Sequence, residues 1–147
     1  MKNQNNIPLI NISGKDFWLY NNKMFDSQLA EQFVGFVYLI RNMNTNKKYI
    51  GKKRFKKVKY FQKNKKKKRR MIESNWKIYT GSNNVLNEDI AKQTTNLLLK
   101  KEILHLCTSL GWMSYFETLE ILKRNALQRD DYYNEWCSCK IHRKHLK

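Results

Sequence analysis

The sequence predicts an α+β domain, and three observations carry that prediction. Residues 35–40, Gly-Phe-Val-Tyr-Leu-Ile, are β-branched and aromatic with no breaker inside the run, which is the composition of a strand. Residues 47–51 follow across the turn-forming stretch 42–46, so the two runs read as an antiparallel pair. Far downstream, Tyr115, Leu119, Leu122 and Ala126 recur at helical spacing. With 147 residues the chain is one domain long and can bury a core without a disulfide or metal staple.

The elements follow in order. Residues 1–13 are Asn-rich without a periodic pattern and read as a mobile arm. Phe17-Trp18-Leu19-Tyr20, Asn21-Asn22 and Lys23-Met24-Phe25 read as a small hairpin, because Asn tolerates the positive φ of a two-residue turn. On the strand period of two, Phe36, Tyr38 and Ile40 face one way and Val37 and Leu39 the other. Tyr49 and Gly51 share a face of the second strand. Residues 52–70 are expected to start a helix and become a solvated basic loop, since 65–70 cannot pack. Residues 75–82 form an aromatic loop with a turn at Gly81, and a helix is expected from about 85 to 93. Residues 97–107 read as a third strand with a helix as the alternative, and Gly111 breaks the run. A helix is expected over 114–127, and the tail from 130 has no clear period. The organisation expected is an arm and hairpin at 1–33, a central domain at 34–136 with a basic insertion at 52–75, and a basic tail at 137–147.

Charge narrows the function. Thirty Lys+Arg against twelve Asp+Glu give +18. Fifteen of those cations lie between Lys47 and Arg70 with no acid among them. A near-neutral globule therefore wears one basic stripe, the electrostatic footprint of a nucleic-acid binder. A solubilising run would mix signs. An acidic membrane would call for a continuous apolar helix face beside the charge, and the apolar runs are too short to span a bilayer. No apolar leader follows the polar residues 1–6. Three cysteines, an odd count, fit a reducing compartment.

Two tyrosines on adjacent strands, Tyr38 and Tyr49, stand just before the basic segment. A helical carboxylate and the run Tyr132-Tyr133-Asn134 come later. In these features the sequence resembles the GIY-YIG nucleases, and within them the phage-encoded Seg-type endonucleases, over about 34–134. Tyr49-Ile50-Gly51 matches the second motif in full. In the first, Phe36 and Val37 stand where the family has Gly and Ile. The resemblance implies a three-stranded antiparallel sheet flanked by helices and hydrolysis of DNA phosphodiesters, leaving 5′-phosphate and 3′-hydroxyl ends. It also implies a phage protein acting in the host cytoplasm. Tyr38 would be the general base, directly or through a metal-bound water, and Tyr49 would position water or phosphate. Gly51 would allow close backbone approach. Tyrosine is a weak base at its ordinary pKa of about 10, and Lys47, Lys48, Lys52 and Lys53 are expected to lower that value. Lys59 occupies the place of the family's phosphate-clamping Arg, with Arg54 near enough to substitute. Lys63 occupies that of its His.

Glu117 is the expected ligand for Mg²⁺ or Mn²⁺. Glu120 has Lys123 and Arg124 at i+3 and i+4, a surface ion-pair pattern, whereas Glu117 has Ile121 at i+4 and lies beside apolar residues. The resemblance also aligns Glu117 with the family's helical Glu, and Asn134 with an Asn that braces the site. A structural turn role for Asn134 is equally open. DNA contacts are expected from Lys52, Lys53, Lys56, Lys57, Lys63, Lys65, Lys66, Lys67, Lys68, Arg69 and Arg70, which position phosphate without reading bases. The loop residues Trp76, Lys77, Tyr79 and Ser82 are expected to face substrate, with core packing of Trp76 the alternative. His142 and Arg143 are expected on phosphates. Cys137, Cys139, His142 and His145 are spaced too tightly for a zinc site, and Cys107 reads as core. No room is left in these residues for a separate recognition domain, so specificity falls to the basic segment, the arm or a partner. The competing reading is a basic nucleic-acid binder with a degenerate site.

Overall fold

The computed structural model describes residues 17–93 and 97–147. The arm expected at 1–13 lies outside the described residues. In chain order the elements are β1 (Leu19–Tyr20), β2 (Lys23–Met24), β3 (Gly35–Asn42), β4 (Lys47–Arg54), β5 (Lys56–Lys63), β6 (Lys66–Glu73), α1 (Asn84–Lys92), β7 (Leu99–Cys107) and α2 (Leu110–Lys123).

β3 is a central strand with β4 antiparallel on one side and β7 antiparallel on the other. Both its faces are covered, which is why it reads as an unbroken apolar run. Phe36, Tyr38 and Ile40 enter one cluster with Trp18, Phe55, Trp76 and Leu86. Val37 and Leu39 enter the other with Ile50, Met113 and Ile121. The expected alternation is the one observed. The hairpin at 17–25 also forms, with Asn21 and Asn22 at φ 50° and 60°.

The sheet differs from the three-stranded antiparallel expectation. It has five strands in the order β2-β1-β7-β3-β4, and β1 joins β7 in parallel, Leu19 opposite Glu102. Trp18 explains the docking. Its indole packs against Phe36 and Tyr38 at 4.9 and 5.2 Å, and its Nε1 donates to the Trp76 carbonyl at 2.7 Å. Lys101 is buried in the same region, over the Trp18 ring at 4.4 Å and donating to the Lys77 carbonyl at 3.0 Å.

The second correction concerns 52–70, expected as a helix and loop. Residues 47–54 continue as β4, and β5 and β6 form a separate two-stranded ribbon. In a helix, consecutive cations repel at i+3 and i+4. In a strand they alternate between faces. Asn64 and Lys65 take φ 53° and 59°, a mirror-image turn suited to hairpins. The ribbon leaves and rejoins the body where Ser74 N–H donates to the Phe55 carbonyl at 2.8 Å.

The third correction concerns α2, which starts four residues before the expected Ser114. Ser109 caps it by accepting from Trp112 N–H at 3.2 Å, so Gly111 lies in its first turn instead of ending a run. The glycine is needed there, because a Cβ would strike the His145 carbonyl of the C-terminal turn Arg143–Leu146. The helix ends at Lys123, and Asn125 is left-handed at φ 55°.

The patternless tail has a task. Lys48 N–H donates to the Asp131 carbonyl at 2.9 Å, and Tyr133 N–H donates to the Lys48 carbonyl at 2.7 Å. One step on, the Asn134 carboxamide accepts from Ile50 N–H at 3.0 Å and donates to the Ile50 carbonyl at 2.9 Å. A side-chain amide thus continues the ladder on the outer edge of β4, covering backbone that would otherwise template further pairing.

Candidate active site

The hairpin β3–β4 sets Tyr38 opposite Gly51. The missing side chain makes room for the phenol: a Cβ on Gly51 would collide with Tyr38 Oη and stand 3.1 Å from Tyr49 Cε1. The two tyrosine rings lie 6.2 Å apart. The loop at 79–82 walls them in. Tyr79 stands edge-on to Tyr38 at 6.1 Å. Ser82 Oγ is 3.1 Å from Tyr49 Oη, and Gly81, at φ +94°, lies against the Tyr49 ring. The loop residues Tyr79 and Ser82 therefore partner the tyrosines directly, a role the sequence did not assign them.

The electrostatics overturn one expectation. Burial pushes the Tyr38 phenol well above its ordinary value, and Tyr79, Tyr49 and Glu117 push it further. Tyr49 is also raised, mainly by burial and against the Ser82 hydrogen bond. The lysines expected to lower these phenols are engaged elsewhere. Lys47 lies 5.6 Å over the Tyr133 ring. Lys48 pairs with Asp131 at 2.8 Å. Lys53 sits 3.9 Å over the Tyr79 ring and donates to Asn75 Oδ1 at 2.8 Å.

Lys52 connects the tyrosines to the carboxylate. It follows Gly51 on β4 and points to the α2 face, where its Nζ is 2.8 Å from Glu117 Oε2 and 3.0 Å from Ser114 Oγ. The tyrosines and Glu117 thus flank β4 from opposite faces, and the Glu117 charge is felt at both phenols. Beside this pair runs a groove of about 450 Å³ lined by Lys52, Arg54, Lys57, Ser74 and Ser114 among others. Arg54 therefore borders the groove, whereas Lys59 and Lys63 lie out on the ribbon opposite Arg70 and Lys66. A second cleft of about 220 Å³ opens on Tyr49, Ser82 and Asn134. At its rim is Trp136, 74 % exposed, which the sequence reading passed over although it follows the Tyr-Asn run by two residues.

The contrast drawn between the two helix carboxylates is corrected. Glu120, expected at the surface, is the buried one. It accepts from Arg124 Nε at 2.8 Å, as the i+4 spacing suggested, and also meets His105 Nε2 at 2.8 Å. His105 in turn stacks on Phe116 at 4.2 Å. Glu117 is partly exposed and held by Lys52. Trp76 is corrected as well. It is 4 % exposed and packs against Phe55 and Phe36, so no base can stack on it, and its neighbour Lys77 pairs with Glu73 at 3.1 Å. Asn134 spends its carboxamide on Ile50 while lining the cleft beside Tyr49 and Ser82. Lys56 pairs with Glu31 at 2.9 Å, and Lys65 occupies the ribbon turn. Lys66, Lys67, Lys68, Arg69 and Arg70 are exposed along β6. His142 caps the turn against α2 by accepting from Lys144 N–H at 3.2 Å, and Arg143 is exposed in that turn.

The donor set limits which metal could sit here. Among the described residues no three His, Cys, Asp or Glu side chains come together as a ready-made cage. Glu117 offers one carboxylate, with its Oε2 on Lys52. Such a site fits a hard divalent ion that keeps most of its waters and takes phosphate oxygens, which is the habit of Mg²⁺. It does not fit zinc.

Among the described residues, no helix is long and apolar enough to cross a membrane. No curated protein and no solved structure matches the chain. The family model described as "Putative endonuclease segE, GIY-YIG domain" matches residues 18–137, which takes in both tyrosines, the ribbon, Glu117 and Asn134. The mixed α+β fold, with a tyrosine pair seated over Gly51 and a helical carboxylate behind it, is consistent with that match, and the chain belongs to the SegE-type GIY-YIG family.

Proposed function

We propose that the protein is a metal-dependent endonuclease that hydrolyses phosphodiester bonds of DNA. The observation that carries this reading is the shared strand. Tyr49, Gly51 and Lys52 are near-neighbours on β4, and they gather Tyr38 on one face and Glu117 on the other. Hydrolysis of a phosphodiester needs a held water, a route for its proton and positive charge at the phosphoryl oxygens.

The raised phenols support a division of roles. Near neutral pH both tyrosines keep their protons, so they orient by hydrogen bonds instead of acting as phenolates. Tyr38, fully buried beneath the cleft on Tyr49, would fix Tyr49 and any water drawn in beside it, and Tyr49 with Ser82 would hold the scissile phosphate. Lys52, Arg54 and Lys57 supply fixed positive charge along the groove. Glu117 would hold Mg²⁺ or Mn²⁺, which when bound supplies Lewis acidity and a more acidic water. Lys52 would then turn from the carboxylate to phosphate. Phage origin, action in a host cytoplasm and a homing role rest on the family alone and belong to this proposal.

The competing reading is a degenerate nucleic-acid binder. Two observations favour it: the outlying position of Lys59 and Lys63, and the closed Lys52–Glu117 pair. Cleavage of supercoiled plasmid at low salt separates the two, with Mg²⁺, Mn²⁺ or EDTA and with Tyr38→Phe and Glu117→Ala beside the unaltered protein. The nuclease predicts metal-dependent cutting that falls at least about 100-fold in both variants while binding persists. Tight binding with no cutting in any metal overturns it.

A further inference from the structure

We infer that the β5–β6 ribbon enters the major groove of duplex DNA with one particular face inward. That face is the one carrying Lys57, Lys59 and Lys63 from β5 and Lys66, Lys68 and Arg70 from β6. The register sorts the ribbon into two faces. Lys59 is opposite Arg70, Phe61 opposite Lys68, Lys63 opposite Lys66 and Lys57 opposite Ile72. Directly opposed residues share a face, so this face has six cations, three from each strand, and no acid. The other face has Lys56, Lys67 and Arg69 with Glu73 among Val58, Tyr60, Gln62 and Met71.

The roots of the two faces point to different neighbours. The mixed face is tied to the body by Lys56–Glu31 at 2.9 Å and Lys77–Glu73 at 3.1 Å. The six-cation face begins at Lys57, which also lines the groove with Lys52, Arg54 and Ser114. It therefore continues the basic floor that leads to Glu117. A duplex phosphate lying in that groove would have its neighbours along the ribbon.

The dimensions fit one partner. Eight residues per strand at about 3.3 Å each give a ribbon about 26 Å long. A B-form major groove about 12 Å wide admits a two-stranded ribbon. Cations splaying from each strand would meet one phosphate wall apiece, and Phe61 at the centre, 37 % exposed, would face base edges. The A-form RNA major groove is too narrow for this. A merely solubilising ribbon would not set Lys59 against Arg70 and Lys63 against Lys66, because like charges directly opposed are destabilising. A polyanion between the two phosphate walls relieves that repulsion.

The inference rests on the nuclease reading only for its choice of polyanion, and its test needs no cleavage. Binding of the full chain would be measured in EDTA to one sequence as a DNA duplex, an RNA duplex and single-stranded DNA. The variants are Lys63→Gln with Lys68→Gln on the six-cation face, and Lys67→Gln with Arg69→Gln on the other. Each pair removes two charges, so bulk electrostatics alone predict equal losses. The ribbon predicts at least a tenfold loss for the first pair, with a salt slope smaller by about 2, and less than threefold for the second. Methylation at guanine N7, on the major-groove side, should interfere over about one turn. Equal losses at unchanged melting temperature, equal affinity for the RNA duplex, or interference only from the minor-groove side would overturn it. Face-dependent binding without cutting in any metal would end the nuclease reading and leave the ribbon standing. Cutting with face-independent binding would do the reverse.

Discussion

The molecule contains two hairpins of the same size. β3–β4 and β5–β6 each pair eight residues with eight in unbroken antiparallel register. The first is buried along nearly all of β3 and at the centre of β4, whose other residues are mostly half-buried, whereas the second is exposed almost throughout. Backbone geometry is therefore not what separates them. The first is held by two apolar clusters and by the tail along its edge, so it can fix a phenol against a glycine. The second has its own ladder, the ion pairs of Lys56 with Glu31 and Glu73 with Lys77 at its root, and a few ring contacts, such as Lys67 over Tyr60 at 4.7 Å and Arg70 near Phe61 at 5.6 Å. A lone two-stranded ribbon is marginal in water. One hairpin is fixed by packing on both faces, and the other stands on its own ladder with its side chains in solvent.

The largest effect comes from filling the gap in the buried hairpin. Gly51→Val places a side chain where Tyr38 Oη now lies. Cleavage should fall more than about 100-fold, stability should fall by about 1–3 kcal/mol from overpacking, and ribbon-dependent DNA binding should survive. Gel-shift and plasmid assays on the same preparation check this, and equal loss of binding and cutting would mean that the hairpins are not independent.

Next is the edge. Asn134→Ala leaves the Ile50 N–H and carbonyl without their side-chain partners, at a cost of about 1–3 kcal/mol. Urea unfolding should show that loss in the midpoint. Hydrogen exchange should accelerate at Ile50 and leave the ladder-bonded amides of Phe61 and Lys68 unchanged.

Acid should separate the hairpins by a different route. Burial raises the Glu120 carboxyl, but the hydrogen bonds from His105 and Arg124 outweigh burial and hold it below its ordinary value. A carboxylate depressed in the folded state stabilises above its unfolded pKa of about 4.3 and loses that contribution as pH falls through the folded value. Stability of the main sheet should therefore decline below about pH 4.5, and Glu120→Gln should flatten the decline. A decline of the same steepness in Glu120→Gln would reject the assignment.

The smallest effect is in the ribbon. Lys65 sits at φ 59° in a mirror-image turn, where glycine is preferred. Lys65→Gly should slow exchange of the Phe61 and Lys68 amides, which pair across the ladder, by a few-fold, corresponding to about 0.4–1 kcal/mol, and leave the global melt unmoved.

The same contrast explains what was legible in the sequence. Strand β3 could be read because two packed faces leave an apolar run, and its facing pattern followed from the period of two. The ribbon could not. Its alternation of Val58, Tyr60 and Gln62 against Phe61 is drowned by cations that carry no hydrophobic period. The parallel pairing of Leu19 with Glu102 joins segments far apart in the chain and leaves no local trace. Glu120 misled for a related reason. Its spacing from Arg124 is that of a surface pair, and the residue that buries it, His105, comes from another element. The site loop was noticed for its aromatics, but only the fold shows Tyr79 and Ser82 turned inward to the tyrosines. The charges beside Tyr38 were misjudged because lysine directions depend on partners such as Asp131 and Glu117, which are distant in sequence.

The rung at Phe55 and Ser74 has one more consequence. The chain departs for the ribbon and returns from it at one crossing, where the Ser74 N–H bonds the Phe55 carbonyl at 2.8 Å and the Ser74 hydroxyl donates to the Arg54 carbonyl at 2.6 Å, so residues 56–73 leave and rejoin the body at a single place. Such a module can be shortened, lengthened or grafted from elsewhere without redirecting the path of the body. If the ribbon grips DNA as inferred above, where the protein lands and what it does there become separate inheritances, open to exchange one at a time.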